Sequence, residues 1–174
     1  MFRTGEFVLH GSSGVCQVEG VEEKRLPGGE KKEYYVLRPV HQHYMVYTPV
    51  DSDKVFLRPI ISREEALRLI DAIPSMHPQA YDCGVVSELA RHYEESFRSH
   101  RCVDLVELTM SIYAKRKSCE EKKRKFGVVD ERFLKRAEEL LFSELAVALG
   151  IEKDEVPGYI SSRVRQLRRE EKAQ

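Results

Sequence analysis

No tryptophan occurs among the 174 residues, and none of the four cysteines (Cys16, Cys83, Cys102, Cys119) stands in a C-x-x-C pair. The second absence argues against a zinc ribbon or a thioredoxin-type site and leaves four reduced thiols that act as small side chains. No apolar run approaches the roughly 20 residues of a membrane span. Met1–Glu6 lacks the basic and apolar regions of a signal peptide, so a cytoplasmic location is expected. Charge of one sign is not in excess either. Lys plus Arg and Asp plus Glu both number 29, giving a formal net charge of zero. Attraction to nucleic acid therefore has to come from local clustering. Gly11-Ser12-Ser13-Gly14 lacks the Lys-Ser/Thr of a phosphate-cradling loop. The six histidines are scattered, and His41 and His43, two apart, have no third metal ligand in view. Glu94-Glu95 and Glu138-Glu139 are helical neighbours whose side chains point apart. With no nucleophile, base or metal set held together, the sequence predicts no enzyme, no metal and no cofactor.

What is present divides at Pro59. Before it, short β-type runs alternate with turns. Glu6–His10 leads into the Gly11–Gly14 turn, and Val15–Val21 alternates apolar with polar residues, the period of a half-buried strand. Leu26-Pro27-Gly28-Gly29-Glu30 has the composition of a hairpin loop. Glu33–Arg38 and Tyr44–Pro49 are rich in aromatic and β-branched residues, and Val55–Arg58 adds a last short run before Pro59, which has no N–H to donate. So many short strands in so few residues predict a small curled sheet or an antiparallel β-barrel, here taken as the barrel, because a flat sheet would leave long open edges.

After Pro59 the pattern is helical. Ser62 and Glu65 form a capping box opening a helix with Ala66, Leu69, Ile70 and Ile73 on its apolar stripe. Pro74–Gly84 is an irregular connection. Ser87–Arg98 carries Leu89, Tyr93 and Phe97 at i, i+4, i+8. Cys102 to about Lys117 has two stripes, Leu105/Leu108/Ile112 and Val103/Val106/Met110/Tyr113, which marks it as the central helix of a bundle. Asp130–Leu149 is a long helix with acids at its N-terminus and Gly150 just past its end. A more polar helix, Asp154 to about Arg169, has Pro157 in its first turn. The chain thus reads as α+β in two domains, residues 1–59 and 60–174, without internal repeats.

Charge clusters in one segment. Lys115, Arg116, Lys117, Lys122, Lys123, Arg124 and Lys125 place seven bases in eleven residues, with two acids, Glu120 and Glu121, among them. A solvated charge run and a segment that tracks a phosphate backbone both account for this. Arg163, Arg165, Arg168 and Arg169 form a second cluster, but two acids follow at once, and it reads as a solvated face.

The order of features resembles the CarD/CdnL family of bacterial transcription regulators. Phe2-Arg3-Thr4-Gly5-Glu6-Phe7-Val8 resembles that family's opening F-x-x-G-D-x-V, and His10–Val15 the Gly-bearing turn that follows. Lys32–Leu37 resembles K-x-Y-Y-x-L, Thr48–Asp51 resembles V-P-x-D/E, and Arg58–Ser62 resembles the junction motif. Phe133-Leu134, Ala137-Glu138, Leu140-Leu141 and Ser143–Ala146 resemble the signature helix of the second domain. The resemblance implies a Tudor/SH3-like N-terminal domain, shared with the transcription-repair coupling factor, that docks on the RNA polymerase β subunit. It also implies a helical domain that contacts promoter DNA near the upstream edge of the melted region.

The implied polymerase-binding residues fall at Lys24, Tyr44, Val46 and Tyr47, with Tyr47 replacing the usual Arg. The expected DNA contacts are backbone contacts by Arg91, in the stretch that resembles the family's R-R-Y, and by the segment that charge clustering singles out, Lys115, Arg116, Lys117, Lys122, Lys123, Arg124 and Lys125. Members of the family place a Trp before an R-R-Y, where it wedges into the minor groove. Here Arg91-His92-Tyr93 resembles that motif, and the Trp position falls at Leu89 or within Gly84–Val86. The alternative reading is therefore a protein-only polymerase adaptor that has lost the DNA wedge. No membrane partner is expected, and the sequence does not set the oligomeric state.

Overall fold

The computed structural model describes residues 1–25 and 27–174; Leu26, in the expected hairpin loop, lies outside them. The chain divides into two compact units, Met1–Ile61 and Ser62–Gln174.

The first unit is one antiparallel sheet of five strands in the order β4-β3-β2-β1-β5. Its strands are β1 (Phe7–His10), β2 (Gly14–Arg25), β3 (Lys31–Pro39), β4 (Val46–Pro49) and β5 (Leu57–Pro59). Alternation sends Val8, Cys16, Val18, Tyr35 and Leu37 to one face, where they form the core with Phe2, Val46, Val50 and Leu57 packed on it. Burial raises the Cys16 thiol to about 11, so it stays protonated. The register of β2 against β3 slips between Val18 and Gly20, a bulge that bends the sheet. β2 runs four residues beyond the expected Val21. Its tip, Glu22–Arg25, has no apolar alternation to announce it. It pairs through backbone register with Lys31–Tyr34 and through a Lys31–Glu23 ion pair at 2.5 Å.

The sheet curls but does not close, so the expected barrel is corrected to an open sheet. β4 and β5 stand at opposite edges, four and three residues long, and Pro49 and Pro59 each withhold a backbone donor. The curl brings β1 and β4 together through side chains. Buried His10 and Thr48 meet at 3.1 Å between Nε2 and Oγ1, although β2 and β3 lie between their strands. The backbone N–H of Ser13 donates to His10 Nδ1 at 3.2 Å, so Nδ1 carries no proton and Nε2–H donates to Thr48. Burial holds His10 below its ordinary pKa of 6.5.

A pH dependence follows. The unfolded chain takes up a proton near pH 6.5, whereas the folded one resists until lower pH. The contribution of His10 to stability is complete above 6.5 and is lost as pH falls through the depressed folded value. Urea unfolding of the sheet unit should show declining stability from pH 7 to pH 5, and His10→Gln should flatten that decline. An unchanged slope in the variant would assign the decline to other groups.

The second unit holds α1 (Arg63–Ala72), α2 (Val86–Arg98), α3 (Cys102–Glu121), α4 (Val128–Leu149) and α5 (Val156–Ala173), with single 3-10 turns after α1 and before α5. The capping box at the start of α1 is present, with Ser62 Oγ accepting from Glu65 N–H at 3.1 Å. Leu89, Tyr93 and Phe97 in α2 and Leu105, Leu108 and Ile112 in α3 are buried as expected, but of the second α3 stripe only Val106 is buried, Val103 and Met110 being half-buried and Tyr113 exposed. The hub, however, is α4 rather than α3. α4 packs against α1, α2, α3 and α5, whereas α3 packs chiefly on α2 and α4. Gly150 ends α4 with φ 68°, and Arg63 Nη1 donates to the orphan Leu149 carbonyl at 2.6 Å. α5 is tied to α1 by a bidentate pair, Arg163 Nε and Nη2 to the two oxygens of Asp71 at 2.7 and 3.0 Å. The Arg163 guanidinium, by hydrogen bond first, holds the Asp71 carboxyl below its usual range. Among the described residues no helix is long and apolar enough to cross a membrane.

Candidate functional site

In the sheet unit, β4 is an open edge. Val50 N–H donates to Glu33 C=O at 3.0 Å, so Val50, Thr48 and Val46 turn their backbone groups toward β3. Met45, Tyr47 and Pro49 alternate with them and turn outward. The edge therefore offers the N–H and C=O of Met45 and Tyr47 to an incoming strand, while Pro49 offers only a carbonyl.

Side chains around this edge are apolar and exposed: Tyr44 50 %, Met45 45 % and Tyr47 43 %. Tyr44 and Met45 precede β4, because the strand begins only at Val46. Val46 itself faces inward and packs on the core. Lys24 and Tyr47, 23 positions apart in sequence, are brought together across β3, with Lys24 Nζ 3.0 Å from the Tyr47 ring centroid. Lys24 also pairs with Glu22 at 3.7 Å. A cation thus stands over an exposed aromatic beside an unpaired edge, and an unpaired edge is the feature that strand addition uses. The loop before β4 also forms one wall of a groove of about 740 Å³ that includes Phe7, Arg38, His41 and His43. Arg38 is fixed there by Glu19 at 2.5 Å and Gln17 at 2.9 Å.

In the helical unit the basic segment is not a uniform linker. α3 extends to Glu121, and the chain then closes a tight helix end. Lys123 N–H donates to Glu120 C=O at 3.2 Å and Arg124 N–H to Cys119 C=O at 2.8 Å, with Lys123 at φ 53°. This is a Schellman end with lysine where glycine is usual. It projects Lys122, Lys123, Arg124 and Lys125 into solvent, together with Lys117 on the last turns of α3. Arg116 lies 4.8 Å over the Phe126 ring. Arg91 is exposed on α2.

Lys115 is different: it is buried, 2.9 Å from Asp130 Oδ1, with Asp82 at 3.8 Å. Asp130 Oδ1 also accepts from the Tyr93 hydroxyl at 2.6 Å. Burial first, then the Asp130 carboxylate, push the Tyr93 hydroxyl well above its ordinary pKa. Lys115 thus serves the interior and is not available to a phosphate. Tyr93 and Asp130 read in the sequence as an apolar-stripe residue and a dipole-compensating acid. The only signal of their partnership was a lysine at an apolar-stripe spacing, three residues after Ile112.

Two further features were missed. Tyr81, in the irregular connection, stacks on His92 with ring centroids 3.6 Å apart. Val85 and Val86, at the start of α2, are 50 % and 64 % exposed, whereas Leu89 is 5 % exposed and belongs to the core. Of the two positions considered for the missing tryptophan, Leu89 is therefore occupied by packing and Val86 lies on the surface.

The molecule carries two surfaces, then: a small curled sheet with an aromatic, cationic open edge, and a helical unit with a basic helix end. Residues 2–61 match the family model described as the CarD-like/TRCF RID domain. The match spans the sheet unit almost end to end and covers 60 of the 174 residues. A search of curated proteins returned no match.

Proposed function

We propose that this protein is a non-catalytic bacterial transcription factor, cytoplasmic, which docks on the β subunit of RNA polymerase through the sheet unit and touches promoter DNA through the helical unit. The observation that carries the reading is the CarD-like/TRCF RID match at residues 2–61, laid over a sheet whose β4 edge is open. In this reading Tyr47 and Tyr44 supply apolar area, Lys24 supplies charge, and the outward groups of Met45 and Tyr47 bond a partner strand. Val46 supports the strand from within. Tyrosine in place of arginine at position 47 gives up bidentate bonding and keeps buried area.

Arg91, Arg116, Lys117, Lys122, Lys123, Arg124 and Lys125 would contact the DNA backbone, which gives affinity without base preference. A wedge is missing, since Val86 lacks the area of an indole. That observation favours the second reading, a polymerase adaptor that does not need DNA.

Pull-down of host RNA polymerase by the full chain tests the docking. Tyr47→Ala should weaken binding by about 1–2 kcal/mol if it is a central anchor. Unchanged affinity when Tyr47→Ala and Lys24→Glu are combined would remove this surface from the interface. Duplex binding separates the two readings. If four junction bases touch phosphates, log K should fall against log salt with a slope of roughly −3.6, equally on unrelated sequences. No binding at low salt selects the adaptor. Val86→Trp should stabilise an open promoter complex only where the DNA surface is otherwise in place.

A further inference from the structure

α5 carries two faces. At 100° per residue, Val156, Ile160, Arg163, Val164 and Leu167 fall within roughly 100° of arc. This is the inward face. Val156 is buried, Ile160, Val164 and Leu167 are half-buried, and Arg163 is locked to Asp71. Arg165, Arg168, Arg169 and Lys172 fall within another arc of roughly 100° on the opposite side. All four are exposed, and none takes part in an ion pair or hydrogen bond among the described residues. With Ser161 and the half-buried Val164 they line a shallow groove of about 480 Å³.

The acids that follow in sequence do not neutralise this stripe. Glu170 and Glu171 lie off it by the same 100° periodicity, and Glu170 accepts from Gln166 at 2.9 Å. Arg163, which the sequence groups with the cluster, belongs to the other face. What reads in one dimension as a mixed charge run is, on the helix, four unpaired cations with no acid among them.

We propose that this stripe is a second phosphate-backbone contact, separate from the α3–α4 junction, for duplex nucleic acid. Arg165 to Lys172 spans about 10 Å of helix axis, close to three nucleotide steps along one strand. Three of the four cations are arginines, whose planar fork bonds phosphate oxygens bidentately. Val164, the aliphatic side chain in the groove lining, is half-buried, and the exposed large hydrophobic residues include none from α5, so the surface offers no anchor of the sort a protein partner buries at an interface centre. A membrane surface is disfavoured by the same observation. A surface-lying helix needs its apolar face free to insert, and here that face is already packed against α1 and α4. The Asp71 clamp fixes the rotation of α5, so the stripe is held outward before any ligand arrives.

The proposal shares with the functional reading above only its class of partner, nucleic acid; it needs neither the junction nor polymerase. The experiment uses the full chain and two unrelated short duplexes, with affinity measured from 50 to 200 mM salt. Changing Arg165, Arg168, Arg169 and Lys172 together to Gln keeps good helix formers throughout. The salt slope should fall by up to about 3.6, at 0.9 per lost contact, on both duplexes. The Lys122, Lys123, Arg124, Lys125→Gln variant should lower the slope independently, and the two reductions should add. Helicity and thermal stability of each variant certify the fold, and Arg168→Glu alone gives a milder check, with a weaker but measurable loss. An unchanged slope in the α5 variant overturns the stripe while leaving the junction standing. A wild-type chain that binds no duplex at low salt overturns both DNA surfaces while polymerase pull-down still reports on the sheet unit. Loss of binding to phosphatidylserine-containing vesicles, with duplex binding unchanged, would assign the stripe to a membrane and overturn the proposal.

Discussion

Replacing Asp130 by alanine should destabilise the helical unit by about 3–5 kcal/mol, the cost of leaving a buried charge without its partner. Asp130 is 3 % exposed and serves two donors at once, the Lys115 ammonium at 2.9 Å and the Tyr93 hydroxyl at 2.6 Å. Its removal leaves a buried ammonium with, among the described residues, only the exposed Asp82 carboxylate 3.8 Å away, and it strands the hydroxyl of Tyr93, whose ring packs against Phe133 with centroids 5.4 Å apart. Breaking only the Tyr93 bond, by Tyr93→Phe, should cost less, about 1.5–3 kcal/mol for a hydrogen bond to a charged group. Lys115→Met combined with Asp130→Ala should recover much of the loss, since an apolar pair of similar volume often does as well as a buried ion pair. Urea unfolding at pH 7 measures the cycle. A loss under about 1 kcal/mol for Asp130→Ala would mean that water reaches the pair and screens it.

Leu37→Ala is the corresponding test of the sheet. Leu37 is fully buried in a core cluster of five buried residues among the described ones, within a unit that ends at Ile61. Leu-to-Ala changes in cores cost about 2–5 kcal/mol, and a unit of this size has little surplus to absorb that. Denaturation followed by limited proteolysis should show the sheet unit unfolding early while a helical fragment from about Ser62 persists. Asp130→Ala should give the reverse order. If both substitutions shift one common transition, the two units unfold as one body.

These two residues also show how far the sequence could be read. Leu37 was legible because it lies in Glu33–Arg38, a run rich in aromatic and β-branched residues, of which Tyr34, Tyr35, Val36 and Leu37 are all buried. The helical stripes were legible by their period of 3.6. Lys115 was not, because a lysine beside Arg116 and Lys117 looks like surface. Its spacing of three from the fully buried Ile112 hints at the inner side, but only the third dimension reveals Asp130 and Tyr93 as its partners there. The tip of β2 was missed because charge pairing, with no apolar rhythm, holds Glu23 against Lys31. Barrel closure was expected from the danger of open edges. The chain meets that danger differently, with short edge strands and prolines. The open edge, which the strand pattern alone left undefined, is what makes Tyr47 and Lys24 one surface.

Pro49 and the four-residue length of β4 have a consequence for the molecule when it is alone. An unpaired strand is a template for any other, including a second copy of itself, and stacking edge on edge is the first step toward aggregates. Here such stacking gains little. The outward groups of the strand are those of Tyr47 and the Pro49 carbonyl, and Met45 adds its own just before it, too few bonds to offset the ordering of two chains. A self-made pair would also lay Lys24 and its copy near one another. A partner that profits from this edge must bring its own side chains to fill the space beside Tyr44, Met45 and Tyr47. Selectivity then comes from those side chains, and the short backbone register serves to align them.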